Sequence, residues 1–109
     1  VVLMLQRAGY EAYCVPNGRV ALSTLLGGNW DAAILDVRMP DMDGINLLQI
    51  MRSYLRWHAM PVLLLTAHAS EAQIEQAKRL GVRQVFHKAN YELADLGRAV
   101  DEVTGGAAS

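Results

Sequence analysis

The chain has 109 residues, 52% of them hydrophobic, and a formal net charge of −1, which bounds it to one domain with enough apolar material for a single core. The near-neutral charge and scattered Lys and Arg argue against direct nucleic-acid binding by bulk electrostatics, and the apolar runs fall below the roughly 18 residues of a membrane span. The single cysteine, Cys14, excludes a disulfide framework within the chain and suits a reducing compartment, so the chain is expected to be cytoplasmic.

In chain order, residues 1–8 are apolar and helix-compatible, and Gly9 ends them as a C′ glycine. Residues 11–15 read as a short strand, in which Cys14 is expected to be a small core residue. Asn17 can cap a helix running to about Leu26, with Val20, Ala21, Thr24 and Leu25 inward and Gly27-Gly28 stopping it. Ala32-Ala33-Ile34-Leu35 is a buried strand ending in Asp36. Pro40 stiffens the following turn, and Asp43-Gly44 closes it.

Residues 44–56 follow the helix period through Ile45, Leu48, Met51 or Arg52, and Leu55. Residues 57–61 are a connector, in which Trp57 is expected to pack partly and His58 to do no chemistry. A second buried strand, residues 61–67, ends at Thr66-Ala67. Ser70-Glu71-Ala72-Gln73 is a capping box. It opens a helix whose apolar side is Ile74, Ala77 and Leu80, ended by Gly81. A third strand, residues 84–88, ends in Lys88, with His87 alternating away from it. Asn90 is the expected cap of a last helix bearing Leu93, Leu96, Val100 and Val103 at a 3.6-residue period. Residues 1–103 thus form the domain, and residues 104–109 read as a flexible tail or the start of a linker. Strands alternating with helices predict a parallel α/β sheet covered on both faces.

In open parallel sheets, ligands bind at the carboxyl ends of the strands. Asp36, Thr66 and Lys88 each stand at such an end, and parallel strands bring those ends to one edge. A carboxylate, a hydroxyl and an ammonium are therefore expected to converge. Taken singly, each is more often a turn starter, a helix cap or a solvated strand end than a functional group. No two His or Cys residues have zinc-site spacing.

With these residues in place, the chain resembles the receiver domain of two-component response regulators. The resemblance rests on Leu35-Asp36 with Met39-Pro40 and Asp43-Gly44, on Met60-Pro61-Val62 running to Leu65-Thr66-Ala67, on residues 77–81, and on Lys88. It implies a flavodoxin-like, doubly wound parallel sheet. It also implies that Asp36 accepts a phosphoryl group from a histidine kinase or phosphotransfer protein, forming an acyl phosphate. Thr66 and Lys88 would contact the phosphoryl oxygens. Mg²⁺ would be held by Asp36 and the backbone carbonyl of Arg38. Arg38 and His68 would occupy the positions that tune dephosphorylation. An output domain or a homodimer would use the face formed by residues 71–103. The module would catalyse only its own phosphorylation and dephosphorylation.

The chain also departs from the pattern. Receivers begin with a strand ending in two adjacent acidic residues that hold the metal. Here that strand, central in the order 2-1-3-4-5, and its acidic pair are missing. The expectation is a fragment, or a start placed too late, with Mg²⁺ binding weakened or absent. If nothing were missing, the second strand would have to slide across to pair with the third. Ala89 stands where the family usually has proline. Val85 takes the place of the aromatic switch residue, with Phe86 beside it on the opposite face. These departures leave an alternative, a degenerate receiver that binds partners without phosphoryl transfer. A hydrolase of the haloacid dehalogenase type would need a second Asp two residues after Asp36, where the chain has Arg38.

Overall fold

The computed structural model describes residues 1–106. Three parallel strands lie in the order β1–β2–β3, namely β1 (Ala33–Leu35), β2 (Val62–Thr66) and β3 (Gln84–His87). Five helices surround them: α1 (Val2–Arg7), α2 (Gly18–Leu26), α3 (Gly44–Ser53), α4 (Glu71–Arg79) and α5 (Leu93–Thr104). Register pairs Leu35 with Leu64, Leu64 with Val85, and Thr66 with His87.

Side chains alternate across the sheet because successive β residues face opposite sides. Val62, Leu64 and Val85 join Leu35 and the inner residues of α2, α3 and α4 in one core. Ile34, Leu63, Leu65 and Phe86 join Leu5 of α1 and Leu96 and Val100 of α5 in the other. Helices therefore cover both faces, as the doubly wound reading requires. Leu47, Leu48 and Met51 of α3 are fully buried, and each such side chain contributes about 1.5–3 kcal/mol of burial free energy.

The elements differ from the sequence reading at several points. Residues 11–15 form no strand. Their amides find no neighbouring ladder, since β1 pairs with β2 alone among the described residues. Gln6 instead donates its side-chain amide to the carbonyl of Ala12 at 3.1 Å. Without a strand there is no inward face at Cys14, which is exposed rather than in the core. The second strand therefore does not slide across to pair with the third. In α2, Ala21 and Leu25 are buried as expected, but Val20 faces out.

Helix α3 stops at Ser53, short of the periodic pattern. Tyr54 leaves the helical region, and Leu55 is 91% exposed. Trp57 is fully buried rather than partly packed. Asn90 does not cap α5. The helix starts after Glu92, which offers no side-chain cap, and the amide of Asn90 closes a turn onto His87. Leu93 is exposed, so the α5 stripe begins at Leu96. Thr104, expected in the tail, belongs to α5 and hydrogen-bonds the Val100 carbonyl at 2.7 Å. The rest of the expected tail beyond residue 106 lies outside the described residues.

Candidate functional site

Asp36 follows the last residue of β1, Thr66 closes β2, and Lys88 follows the last residue of β3. Their ladders run in one direction, so all three meet at one edge. Lys88 Nζ forms an ion pair with Asp36 Oδ2 across the rim, with the side chains 42% and 34% exposed respectively. The other carboxylate oxygen, Oδ1, accepts from the amide of Arg38 at 3.1 Å.

Thr66 differs from the solvated strand end that its position alone suggests: it is 1% exposed. Its Oγ1 accepts from the amide of Ala69 at 3.1 Å, which turns the chain toward α4. The hydroxyl hydrogen remains able to donate. The Lys88 amide donates to the Thr66 carbonyl at 2.9 Å, tying the cation's backbone to the hydroxyl's. Arg38 and His68 are both exposed and line a shallow depression of about 420 Å³ together with Val37, Met39, Met42, Asp43 and Gln73.

The loop from Asp36 to Gly44 is closed at its base. Gly44 donates its amide to the Val37 carbonyl at 2.8 Å, and Arg38 and Asp43 form an isolated backbone bridge. Asp43 caps α3 by accepting from the Ile45 amide at 2.8 Å. Asp41 reaches further. Its two oxygens accept from the amides of Gly18 at 2.8 Å and Arg19 at 2.9 Å. These bonds to the first turn of α2 hold the Asp41 carboxyl below the usual carboxylate range. The sequence reading placed Asp41 in the loop but did not find this cap, because its partners lie at a sequence distance that no local motif spans. Met42 lies over Gly18, whose missing β-carbon leaves the room.

Mg²⁺ is usually held by one or two carboxylates plus phosphate oxygens. Both Asp36 oxygens are engaged, and the carboxylates of Asp41 and Asp43 are committed to helix caps. No group of three His, Cys, Asp or Glu side chains able to hold a metal occurs among the described residues. Asp36 and the Arg38 carbonyl do not by themselves make a magnesium site.

On the far side of the sheet from Val85, the Phe86 ring is buried and meets Tyr91 edge-on, with centroids 6.3 Å apart. The aromatic beside the family's switch position thus packs beneath α5.

Comparison with known proteins agrees with this geometry. A family model described as the response regulator receiver domain matches residues 1–101. Regulatory protein AtoC of Escherichia coli K12 is 41% identical over 73 residues, which is 67% of this chain and 15% of that protein. Chemotaxis protein CheY of Pseudomonas aeruginosa is 42% identical over 66 residues, 61% of this chain and 53% of that protein. The chain thus spans between 15% and 53% of the length of these relatives. Among solved structures, the receiver domain of a sensor histidine kinase from P. aeruginosa PAO1, described with a magnesium ion coordinated in its active-site cleft, superposes with a TM-score of 0.81 at 26% identity, covering 95% of this chain and 84% of that one. Chemotaxis protein CheY4 of Vibrio cholerae gives a TM-score of 0.82 at 29% identity, covering 93% and 83%. On its matched length, its fold and its strand-end residues, the chain belongs to the response regulator receiver domain family.

Proposed function

We propose that this chain is the phosphoacceptor module of a two-component phosphorelay, with Asp36 as the acceptor. The convergence of Asp36, Thr66 and Lys88 at one sheet edge carries the reading. An Asp36 carboxylate oxygen attacks the phosphorus of a phosphohistidine on a kinase or phosphotransfer protein. The new O–P bond forms as the N–P bond breaks, and the released imidazole takes up a proton from solvent. Charge on the moving phosphoryl group is stabilised by fixed donors. Lys88, already at the carboxylate, is within reach of one phosphoryl oxygen, and the Thr66 hydroxyl supplies a hydrogen bond to another. Arg38 and His68, on the rim of the depression, control access of water to the acyl phosphate. Asp36 and the Arg38 carbonyl would be two of the ligands of a Mg²⁺ ion, which would need further oxygen donors and would supply positive charge to the phosphoryl oxygens.

The chain is a regulatory domain rather than a free-standing enzyme in this reading, and its output surface is the face formed by residues 71–103, toward an output domain or a second copy. Its partners act in the cytoplasm, where an exposed thiol such as Cys14 stays reduced. A second reading, a degenerate receiver that binds partners without phosphoryl transfer, is favoured by Val85 in place of the aromatic switch residue and Ala89 in place of the proline after the lysine.

One experiment separates the two. Incubation of the complete domain, with the family's acidic pair in place, with a small phosphodonor and Mg²⁺ is expected to add one base-labile phosphoryl group by mass, absent from Asp36→Asn. Equal uptake by Asp36→Asn moves the acceptor elsewhere. No uptake by the unaltered complete domain favours the degenerate reading.

A further inference from the structure

We propose that Gln73 is a positioning residue that latches the first turn of α4 to the acceptor loop. The latch matters to signalling only if Asp36 is the acceptor, but its physical core is a pair of hydrogen bonds from one side chain. Gln73 Oε1 accepts from the Ser70 amide at 2.9 Å, and the Gln73 backbone amide donates to Ser70 Oγ at 3.2 Å, completing the capping box of α4. Gln73 Nε2 turns the other way and donates to Asp43 Oδ2 at 3.4 Å, with both side chains partly buried.

Asp43 is a consequential place to hold. Its other oxygen caps α3, and its backbone bridges to Arg38. Gly44, the next residue, abuts the Asp36 carbonyl. A displacement of the first turn of α4 therefore pulls on the base of the loop that carries Asp36. The segment that enters this turn is tied to the second strand end by the Ala69 amide on Thr66 Oγ1. The start of α4 is thus tied to two of the three strand ends, to Thr66 through the Ala69 amide and to Asp36 through Gln73 and Asp43. A capping box needs only an acceptor at its third helical position, which Glu supplies as well as Gln. The Asp43 contact needs a donor, which only Gln supplies.

That chemical difference gives the test. Gln73→Glu keeps the acceptor for Ser70 and suits the helix N-terminus, but it puts a carboxylate against Asp43. Amide exchange by mass spectrometry on the purified chain is expected to speed up at Gly44 and Ile45 by about two- to tenfold, the factor corresponding to the net worth of one hydrogen bond. Exchange at Ile74 and Ala77 within α4 should stay at the unaltered rate. Adding Asp43→Asn to Gln73→Glu restores the bridge with donor and acceptor exchanged, because the introduced asparagine still caps α3 through its oxygen while its side-chain amide faces the introduced glutamate. The double variant should recover slow exchange at Gly44 and Ile45. Unchanged exchange in Gln73→Glu, or no recovery in the double variant, overturns the latch. Phosphoryl uptake measured alongside separates this from the acceptor assignment: uptake that survives Asp36→Asn refutes the acceptor without touching the exchange result.

Discussion

Gly44 lies directly against the backbone of Asp36. A β-carbon at Gly44 would sit 2.1 Å from the Asp36 carbonyl oxygen and 2.9 Å from its carbonyl carbon. The start of α3 and the end of β1 are therefore in backbone contact, and the intervening loop is folded back on itself with no side-chain volume to spare. Glycine is required here for close approach, since Gly44 is not among the residues with positive φ.

Gly44→Ala is expected to be destabilising by about 1–3 kcal/mol, the range for an overpacked site whose neighbour cannot yield. The obstacle is backbone, so relaxation must move Asp36 itself. Urea denaturation should show the lowered midpoint, and phosphoryl uptake at Asp36 should fall by more than the lost folded fraction accounts for. An unchanged midpoint would mean that the loop base is looser than its geometry indicates.

The cap of Asp41 on α2 makes a pH-dependent contribution. Two backbone N–H groups bind its charged form, so its folded pKa lies below the ordinary 3.8. The sign follows from linkage: the unfolded chain binds the proton more tightly, so the stabilisation is fully present above the unfolded value and is lost as pH falls through the folded one. Asp41→Asn removes the charge and one acceptor oxygen. The gap in urea midpoint between the unaltered chain and this variant is expected to be constant near neutrality and to narrow as pH drops below 3.8. A gap that persists unchanged into acid would place the stabilisation in something other than the ionised carboxylate.

The parts legible in the sequence were those with local signals. The apolar runs ending in Asp36, Thr66 and Lys88 marked the three strands and their shared edge, and Ser70 with Gln73 marked the capping box. Gly9 and Gly81 take positive φ at the ends of α1 and α4, where glycine was read as a stop. What failed depended on partners. Residues 11–15 have strand composition, but a strand exists only beside a ladder. Leu55 continues a helical period that the chain abandons at Tyr54. Buried Thr66 and the cap from Asp41 to Gly18 arise from tertiary placement, which periodicity does not encode.

Arg52 is another residue whose role emerges only in three dimensions. Its guanidinium donates to the carbonyls of Leu80 at 2.6 Å, Met60 at 2.7 Å and Trp57 at 3.0 Å. It thereby joins the end of α4 to the connector after α3. Burial, with the nearby positive charge of Arg83, lowers its pKa from the ordinary value, so the carbonyl bonds must offset that penalty. Arg52→Met is expected to be destabilising by about 1–3 kcal/mol, the penalty for leaving such acceptors unpaired. Arg52→Lys should recover little, because an ammonium lacks the planar fork that reaches several acceptors. The Arg52→Met effect should be flat from about pH 5 to pH 9, since arginine does not lose its proton in that range. Full rescue by lysine in thermal unfolding would show that only the charge matters.

Lys88 and Asp36 make an ion pair whose side chains are substantially exposed. Such pairs contribute only about 0–1 kcal/mol, because solvent screens the attraction and two long side chains are ordered to make it. The pair is therefore a weak stability device, but it places a cation beside the proposed acceptor oxygen. Lys88→Met should separate these roles. Its urea midpoint is expected to stay close to that of the unaltered chain, whereas phosphoryl uptake from a small phosphodonor should drop by about 100-fold, the scale on which a single fixed donor to a transition-state oxygen acts. Lys88→Arg keeps the charge but changes its geometry, and should fall between the two. A Lys88→Met variant that takes up phosphoryl at the original rate would remove Lys88 from the chemistry. One that unfolds would instead show that the ion pair is worth more to the sheet edge than its exposure implies.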